Sequence, residues 1–290
     1  MDMTRLHGRT ALVTGAGSGI GRATALAFAR RGADLVICDI DETALAAAAE
    51  ELRAVGCDAF VQRVDVADAA QMARLAEAVH GRVQAVDILL NNAGVAIGGP
   101  FSATSLADWD WILGINLKGV IHGCHYFIPK MVERRRGGHV VNVSSAAGYS
   151  ATSMLAAYNA TKFGVLGLTE ALWDELRPAG ISVTAVCPGI IDTPITRNAR
   201  LVGAMATAEA REEMVSGYQR RGYPPERVAE NIVKAMHRDR LVAPISPEAW
   251  GMYYLKRWAP WALRWLSRRM GERAMNRRDA ALPPSDNGAR

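Results

Sequence analysis

The sequence predicts a single doubly wound α/β domain, in which a parallel sheet is covered by helices on both faces. Short apolar runs that are typical of buried strands alternate with helical stretches along the whole chain, as expected for a parallel sheet. With 290 residues, half of them hydrophobic, the chain is long enough to bury one substantial core. The predicted strands cover residues 11–13, 35–38, 59–64, 88–90, 139–143 and 181–186.

The first strand is followed by a glycine-rich turn and then by an alanine-rich helix that should run to about residue 31. The turn contains Gly15, Gly19 and Gly21. Glycine lets the backbone turn tightly and lets a pyrophosphate approach the amides at the positive end of the helix. Strand, turn and helix together therefore predict a site for a nucleotide phosphate in a Rossmann-like sheet.

The second strand ends at an acidic residue, Asp39, which lies twenty residues after Gly19. A carboxylate at this position can accept hydrogen bonds from both hydroxyls of an adenine ribose. Neither Ser18 nor Ile40 supplies the Arg or Lys that would favour a ribose 2′-phosphate. The sequence thus predicts NAD as the cofactor.

A tyrosine and a lysine further along the chain indicate proton transfer. Tyr158 and Lys162 stand four residues apart in a segment predicted to be helical from about residue 156 to residue 177, and Ser145 lies thirteen residues before Tyr158. Residues at i and i+4 meet on one helix face, and a cation beside a phenol favours the phenolate. Because the reference pKa of tyrosine is about 10, a tyrosine acting as general acid and base needs such a neighbour. Taken alone, the pair also fits an ordinary, partly buried contact.

With the motifs that surround them, these residues resemble the short-chain dehydrogenase/reductase family, of the compact single-domain kind, from about residue 6 to residue 244. The family's Thr-Gly-x-x-x-Gly-x-Gly turn is found at residues 14–21 and its Asn-Asn-Ala-Gly run at residues 91–94. The resemblance implies that Ser145 holds the substrate oxygen and that Tyr158 moves its proton. Lys162 would bind the nicotinamide ribose and lower the pKa of Tyr158.

The resemblance also implies roles for residues outside this trio. Asn116, the fourth catalytic residue, would distort its helix so that its main-chain carbonyl holds a water linked to the lysine. Asn91 would stabilise the sheet, Asp65 would contact adenine, and Thr193 would bond the nicotinamide carboxamide. The implied cofactor-binding set is Gly15, Ser18, Gly19, Ile20, Gly21, Asp39, Asp65, Val66, Asn92, Ala93, Gly94, Tyr158, Lys162, Pro188, Gly189, Ile191 and Thr193.

The residues around the expected pocket are mostly apolar, and the predicted substrate contacts are Ala96, Ala147, Tyr149, Leu155 and Ile195. Only Arg197 and Arg200 would clamp a carboxylate or phosphate, if their segment folded inward. We therefore expect an apolar secondary alcohol or ketone that is lipid-, terpenoid- or steroid-like. Residues 190–220 resemble the mobile substrate lid of the family.

Two other functions stay open from the sequence. One is an NADPH-dependent ketone or 3-oxoacyl reductase, which Asp39 and the apolar pocket disfavour. The other is a non-catalytic, NAD-sensing regulatory protein, which would not need the complete catalytic set. The cysteines and histidines show no metal-ligand spacing, so no metal is expected. The start of the chain lacks an apolar signal region, which predicts a cytoplasmic location.

Residues 248–290 differ in character from residues 1–247, which form the predicted catalytic domain. Residues 251–290 hold nine Lys or Arg against three acids, and aromatic residues at positions 250, 254, 258, 261 and 265 fall on one stripe of an amphipathic helix. Pro260 should kink or divide this helix, and residues 282–290 should fray. The stripe either packs on this subunit or a partner subunit over the substrate opening, or meets an anionic membrane peripherally through residues 248–270.

The expected partners are therefore few. No nucleic-acid docking fold is recognisable beside the basic residues. The resemblance implies a homo-oligomer, either a homodimer or a homotetramer.

Overall fold

A computed structural model describes the backbone of residues 4–279 and the side chains of residues 4–269. The predicted frayed tail, residues 282–290, lies outside the described residues. Nine strands are present in this part of the chain. They are β1 (Thr10–Thr14), β2 (Asp34–Asp39), β3 (Phe60–Arg63), β4 (Ile88–Asn91), β5 (Ile97–Gly98), β6 (Gly138–Val143), β7 (Ile181–Cys187), β8 (Arg200–Leu201) and β9 (Val242–Pro244).

Helices follow most of the strands, as the alternation of the sequence predicts. They are α1 (Gly19–Ala29), α2 (Glu42–Ala54), α3 (Ala69–His80), α4 (Leu106–Leu113), α5 (Gly119–Arg134), α6 (Ala156–Leu176), α7 (Pro194–Arg197), α8 (Ala208–Arg221), α9 (Pro225–His237), α10 (Pro247–Trp258) and α11 (Pro260–Asp279). A short π-helix, Gly114–Lys118, joins α4 to α5.

Seven strands form one parallel sheet in the order β3-β2-β1-β4-β6-β7-β9. Successive residues of each strand point to opposite sides of the sheet, and both sides are buried. In β1, Ala11 and Val13 join the core cluster that includes α1 and α9, whereas Leu12 joins the cluster on the other face. The predicted doubly wound, Rossmann-like domain is confirmed.

The strand order reverses between β1 and β4, which are neighbours in the sheet although β2 and β3 lie between them in sequence. In open α/β sheets a crevice forms at this reversal, outside the carboxyl ends of the strands. The glycine turn after β1 and the Asn-Asn-Ala-Gly run at the end of β4 both lie there. The fold therefore places two of the predicted motifs at one edge.

The structure adds three strands that the sequence pattern did not reveal. β9 has three residues, and β5 and β8, which pair with each other, have two residues each. A run this short cannot display a periodicity, and β9 ends on a proline. Residues 190–220 also prove to be structured, since they contain α7, β8 and most of α8.

Candidate active site

The glycine turn is built around backbone conformations and contacts that exclude larger side chains. Gly15 and Gly19 have φ values of +64° and +52°, which glycine adopts without the strain of a Cβ. A Cβ on Gly21 would collide with the Gly15 carbonyl oxygen and the Asn92 amide nitrogen. Ser18, the N-cap of α1, makes no side-chain capping bond, so the amides that begin α1 are available to an anion.

The end of β4 is tied directly to this turn. The side-chain amide of Asn92 donates to the carbonyl oxygens of Thr14 and Gly15, at 3.0 Å each. The Thr14 hydroxyl in turn accepts from the backbone amides of Asn92 and Ala93, at 3.0 Å and 3.1 Å. These bonds fix two predicted cofactor-binding segments relative to each other.

Two carboxylates stand at the carboxyl ends of β2 and β3, where the predicted adenosine end of a cofactor would lie. Asp39 Oδ2 accepts from the backbone amide of Gly17 at 2.8 Å, so this carboxylate lies beside the glycine turn. Asp65 follows β3, and its Oδ1 accepts from the amide of Ala67 at 2.9 Å. Val66 beside it is buried.

Tyr158 lies on the first turn of α6 and meets Ser145, which follows β6. Burial raises the pKa of Tyr158 to about 12, and a hydrogen bond with the Ser145 side chain partly opposes this rise. The Ser145 hydroxyl accepts from the amide of Ala147 at 3.1 Å and lies 3.4 Å from the carbonyl oxygen of Pro188. The Ser145 side chain thus lies close enough to the Tyr158 phenol to influence its pKa.

Lys162 lies one turn further along α6 and is buried. Its Nζ donates to the carbonyl oxygen of Val143 at 2.9 Å and lies 5.7 Å from the centre of the Tyr158 ring. Burial lowers the pKa of Lys162 to about 8. The sequence predicted that Lys162 lowers the pKa of Tyr158, whereas that pKa is raised in the structure, because the loss of solvent outweighs the other influences.

Asn116 lies within the π-helix, so the helix is distorted at the position that the resemblance implies. Its side chain pairs with the backbone of Val95, with Nδ2 donating to the carbonyl oxygen at 2.9 Å and Oδ1 accepting from the amide at 2.8 Å. The same Nδ2 lies 3.2 Å from Thr161 Oγ1 on α6. Asn116 therefore connects the segment after β4 with the helix that carries Tyr158 and Lys162.

The remaining predicted cofactor residues line the same edge of the sheet. A Cβ on Gly94 would lie 3.3 Å from Asn116 Oδ1 and 3.6 Å from Lys162 Nζ. The methyl group of Thr193 would lie 3.3 Å from a Cβ on Gly19, which brings the loop after β7 to the glycine turn. Asn91 donates to Asn142 Oδ1 on β6 at 2.8 Å, a contact within the central sheet. Ile20, Pro188, Gly189 and Ile191 lie on these same segments.

The predicted substrate contacts divide into two groups. Ala96, Ala147, Leu155 and Ile195 are partly buried on the segments that surround Tyr158. Tyr149 differs, because its buried ring packs against Tyr253 and its hydroxyl donates to the Ala249 carbonyl oxygen at 2.7 Å. This hydroxyl anchors α10, so we leave Tyr149 out of the substrate pocket.

The two arginines that the sequence left as substrate clamps are engaged within the protein. Arg200 Nη1 lies 2.7 Å from Asp108 Oδ1, and its guanidinium lies 3.9 Å from the centre of the Trp111 ring. Arg197 Nη1 lies 3.5 Å from Asp192 Oδ1. Both guanidinium groups therefore already have acidic partners within the protein, and neither is left unpaired beside Ser145, Tyr158 and Lys162.

Glu248, the second residue of α10, is a contact that sequence reasoning missed. Its Oε1 accepts from the amide of Ile190 at 3.0 Å, and its Oε2 pairs with Arg221 Nη2 at 2.7 Å. Burial favours the neutral acid, but hydrogen bonds from Arg221 and Ser246 prevail and lower the pKa of Glu248. No sequence pattern connects these residues, because Glu248 is 27 positions from Arg221 and 58 positions from Ile190.

Tyr218 on α8 was also missed. It lies close enough to Tyr158 to contribute to the raised pKa of that phenol. The pKa of Tyr218 is itself raised by burial. The helix of the predicted lid thus comes close to Tyr158, although Tyr218 stands in no recognised motif. Among the described side chains of residues 4–269, no group of three His, Cys, Asp or Glu is placed to hold a metal ion.

Comparison with known proteins gives matches over most of the chain. The family model described as short chain dehydrogenase matches residues 9–202. Probable oxidoreductase EphD of Mycobacterium tuberculosis strain H37Rv is 41% identical over 256 residues, covering 87% of this chain and 43% of EphD. C alpha-dehydrogenase of Sphingobium sp. strain SYK-6 is 34% identical over 255 residues, covering 85% of this chain and 83% of that protein.

A crystal structure of a short chain dehydrogenase/reductase from Burkholderia phymatum, in complex with NAD, is similar to this chain with a TM-score of 0.78 and 34% identity. The match covers 87% of this chain and 94% of that one. The chain spans less than half the length of EphD.

Proposed function

The chain belongs to the short-chain dehydrogenase/reductase family, and we propose that it is an NAD-dependent oxidoreductase that interconverts an apolar secondary alcohol and its ketone. The observation that carries the proposal is the unit formed by Ser145, Tyr158 and Lys162 beside the glycine turn. Ser145 is held by contacts with Ala147 and Pro188, and Lys162 by the carbonyl oxygen of Val143. The residues proposed for acid–base chemistry thus lie next to the glycine turn that is proposed to bind a dinucleotide.

The residues present fit a bound dinucleotide. The glycines let the turn pack closely against the end of β4, where a Cβ would collide with protein atoms, and the first amides of α1 lack a side-chain cap. When bound, NAD would supply the hydride acceptor in its nicotinamide ring. Asp39 would accept hydrogen bonds from the adenine ribose, and Gly94, Lys162 and Thr193 would contact the nicotinamide half.

In the oxidative direction, ionised Tyr158 takes the proton of the substrate hydroxyl while hydride leaves the carbinol carbon. Ser145 donates to the substrate oxygen and holds it in place. Lys162, while it keeps its proton, and the positive charge of the oxidised cofactor would both favour the phenolate, which opposes the effect of burial. Because burial raises the pKa of Tyr158 to about 12, oxidation should become faster as the pH rises through the alkaline range.

The pocket favours an apolar substrate. Its segments contribute Ala96, Ala147, Leu155 and Ile195, and the neighbouring arginines are already paired. Lipid-, terpenoid- and steroid-like alcohols share the chemistry that such walls accept. We propose that residues 190–220 act as the lid over this pocket, with Tyr218 facing the catalytic tyrosine.

Homo-oligomerisation is part of the same proposal. The helices that carry and precede the active-site residues expose apolar side chains, with Ile121 and Val132 on α5 exposed by 42% and 39% and Phe163 on α6 by 39%. Apolar side chains on two helices beside each other suit a contact between subunits.

The test is to follow NADH formation with purified protein, NAD or NADP, and secondary alcohols from short aliphatic to steroid. We expect turnover with NAD on bulky apolar alcohols, and Asp39→Ala should relax the preference for NAD over NADP. A clear NADP preference of the wild type would favour the reductase alternative. NAD binding without turnover on any alcohol or ketone would favour the NAD-sensing alternative.

A further inference from the structure

The outer surface of α10 and α11 exposes large aromatic side chains that the catalytic proposal does not use. Trp258 is 83% exposed, Trp261 75% and Trp265 55%, and Tyr254 and Leu266 beside them are 53% and 42% exposed. All seven tryptophans of the chain have described side chains, and only these three are exposed. We call these five residues the aromatic face.

The aromatic face is the outer side of helices that are attached to the domain by their inner side. Ala249 of α10 is fully buried, and its carbonyl oxygen accepts from the Tyr149 hydroxyl at 2.7 Å. On α11, Leu263 is only 5% exposed. Leu263 is two residues from both Trp261 and Trp265, which places it on the opposite side of the helix. The aromatic rings are therefore directed outward by the packing itself.

The aromatic face lies in a continuous basic segment. Residues 249–271 contain Lys256, Arg257, Arg264, Arg268 and Arg269 and no acidic residue. On α11, successive residues are turned by about 100°, so Arg264 and Arg268 fall on one side of the two tryptophans and Arg269 on the other. The Arg269 guanidinium lies 4.4 Å from the centre of the Trp265 ring. The rings and the arginines of α11 thus form one surface.

We propose that the aromatic face binds the surface of an anionic lipid bilayer, with α10 and α11 lying along it. Tryptophan is suited to the headgroup level of a bilayer, because its ring is apolar and its N–H is polar. The flanking arginines would meet lipid phosphates. No helix among the described residues is long and apolar enough to span a membrane, which leaves contact in the plane of the interface.

A second copy of this chain is a poorer occupant of the same surface. A two-fold contact through the aromatic face would bring Arg264, Arg268 and Arg269 of one copy close to the same three residues of the other. Like charges brought together in this way repel. An anionic bilayer complements the charge and accepts the rings, so both features of the surface favour it.

The test is co-flotation of the full chain with vesicles of phosphatidylcholine alone and of phosphatidylcholine mixed with phosphatidylglycerol. We expect binding to the mixed vesicles, a blue shift of tryptophan fluorescence, and weaker binding at high salt. Trp258→Ser/Trp261→Ser/Trp265→Ser should weaken binding by about tenfold or more, because most of the inserted apolar surface is removed. Arg264→Glu should weaken binding to the mixed vesicles alone.

Controls separate this effect from general damage. Phe101→Ser/Leu106→Ser removes side chains that are 70% and 83% exposed but lie outside α10 and α11, and it should leave vesicle binding unchanged. Circular dichroism should show the same helix content in all variants. The proposal is overturned if the wild type does not bind the mixed vesicles or binds neutral vesicles equally well. It is also overturned if the triple variant binds the mixed vesicles as tightly as the wild type. A triple variant that changes the oligomeric state would assign the aromatic face to a protein contact instead.

Discussion

At the scale of single residues, the candidate site depends on two groups whose charged forms burial opposes. Burial raises the pKa of Tyr158 to about 12 and lowers that of Lys162 to about 8. The sequence spacing of four residues predicts that the two side chains share a face of α6, and they do. It could not predict the direction of the pKa of Tyr158, because burial depends on strands and loops distant in sequence, such as the one that ends at Val143 and holds Lys162.

Replacing Lys162 by Met should change how stability depends on pH. Because burial lowers the lysine pKa from 10.5 to about 8, the wild type is destabilised below pH 8, and this penalty fades as the pH rises towards 10.5. In urea denaturation, the free energy of unfolding of K162M relative to wild type should fall by roughly 2 kcal/mol between pH 8 and pH 10. A constant difference between K162M and wild type over this pH range would contradict the lowering of the Lys162 pKa by burial.

The glycine turn gives a second prediction at this scale. Gly21→Ala should abolish or severely weaken NAD binding, since its Cβ would collide with the Gly15 carbonyl oxygen. Gly167→Ala is the matched control, because a Cβ at that position of α6 meets nothing within 4 Å, and Ala favours a helix. Titration with NAD, followed by protein fluorescence, would measure both affinities. Normal NAD affinity in G21A would contradict the proposed binding of NAD at the glycine turn.

At the scale of elements, the long strands and helices follow from the sequence, and the short ones do not. The apolar runs locate the six strands from β1 to β7 that have four residues or more, and Pro260 divides α10 from α11 as its missing N–H and fixed φ require. β5, β8 and β9 are too short to show a pattern. Glu248 contacts Arg221 and the backbone amide of Ile190, and we call this set of contacts the clasp. It joins three segments that are distant in sequence, so no local sequence pattern predicts it.

The clasp predicts that the lid depends on α10. Replacing Arg221 by Met should raise the KM for the alcohol by up to about fivefold with little change in kcat, because a partly exposed ion pair contributes about 1 kcal/mol or less. Limited proteolysis within residues 190–221 should become faster. Lys130→Met, which removes the exposed pair with Glu133, should leave KM unchanged. Equal effects in both variants would show that the clasp does not position the lid.

At the scale of the whole molecule, the sheet order brings distant motifs together. Ser145 and Tyr158 lie near the middle of the sequence, far from the glycine turn, yet they share one edge of the sheet with it because β1, β4 and β6 are neighbours. The motifs allowed this convergence to be predicted from the sequence through the family resemblance. The aromatic spacing likewise predicted a stripe on α10 and α11. Its outward direction could be known only from packing, since Ala249 and Leu263 define the inner side.

The central claim is that Tyr158 transfers the substrate proton in an NAD-dependent reaction. The most direct measurement compares NADH formation by wild type, Tyr158→Phe and Tyr254→Phe, with NAD affinity determined for each by titration. Tyr254 is 53% exposed on α10, so its variant should match the wild type. We expect Tyr158→Phe to lose roughly 10²–10⁴-fold in turnover while keeping its NAD affinity. Turnover near the wild-type rate in Tyr158→Phe would contradict the account.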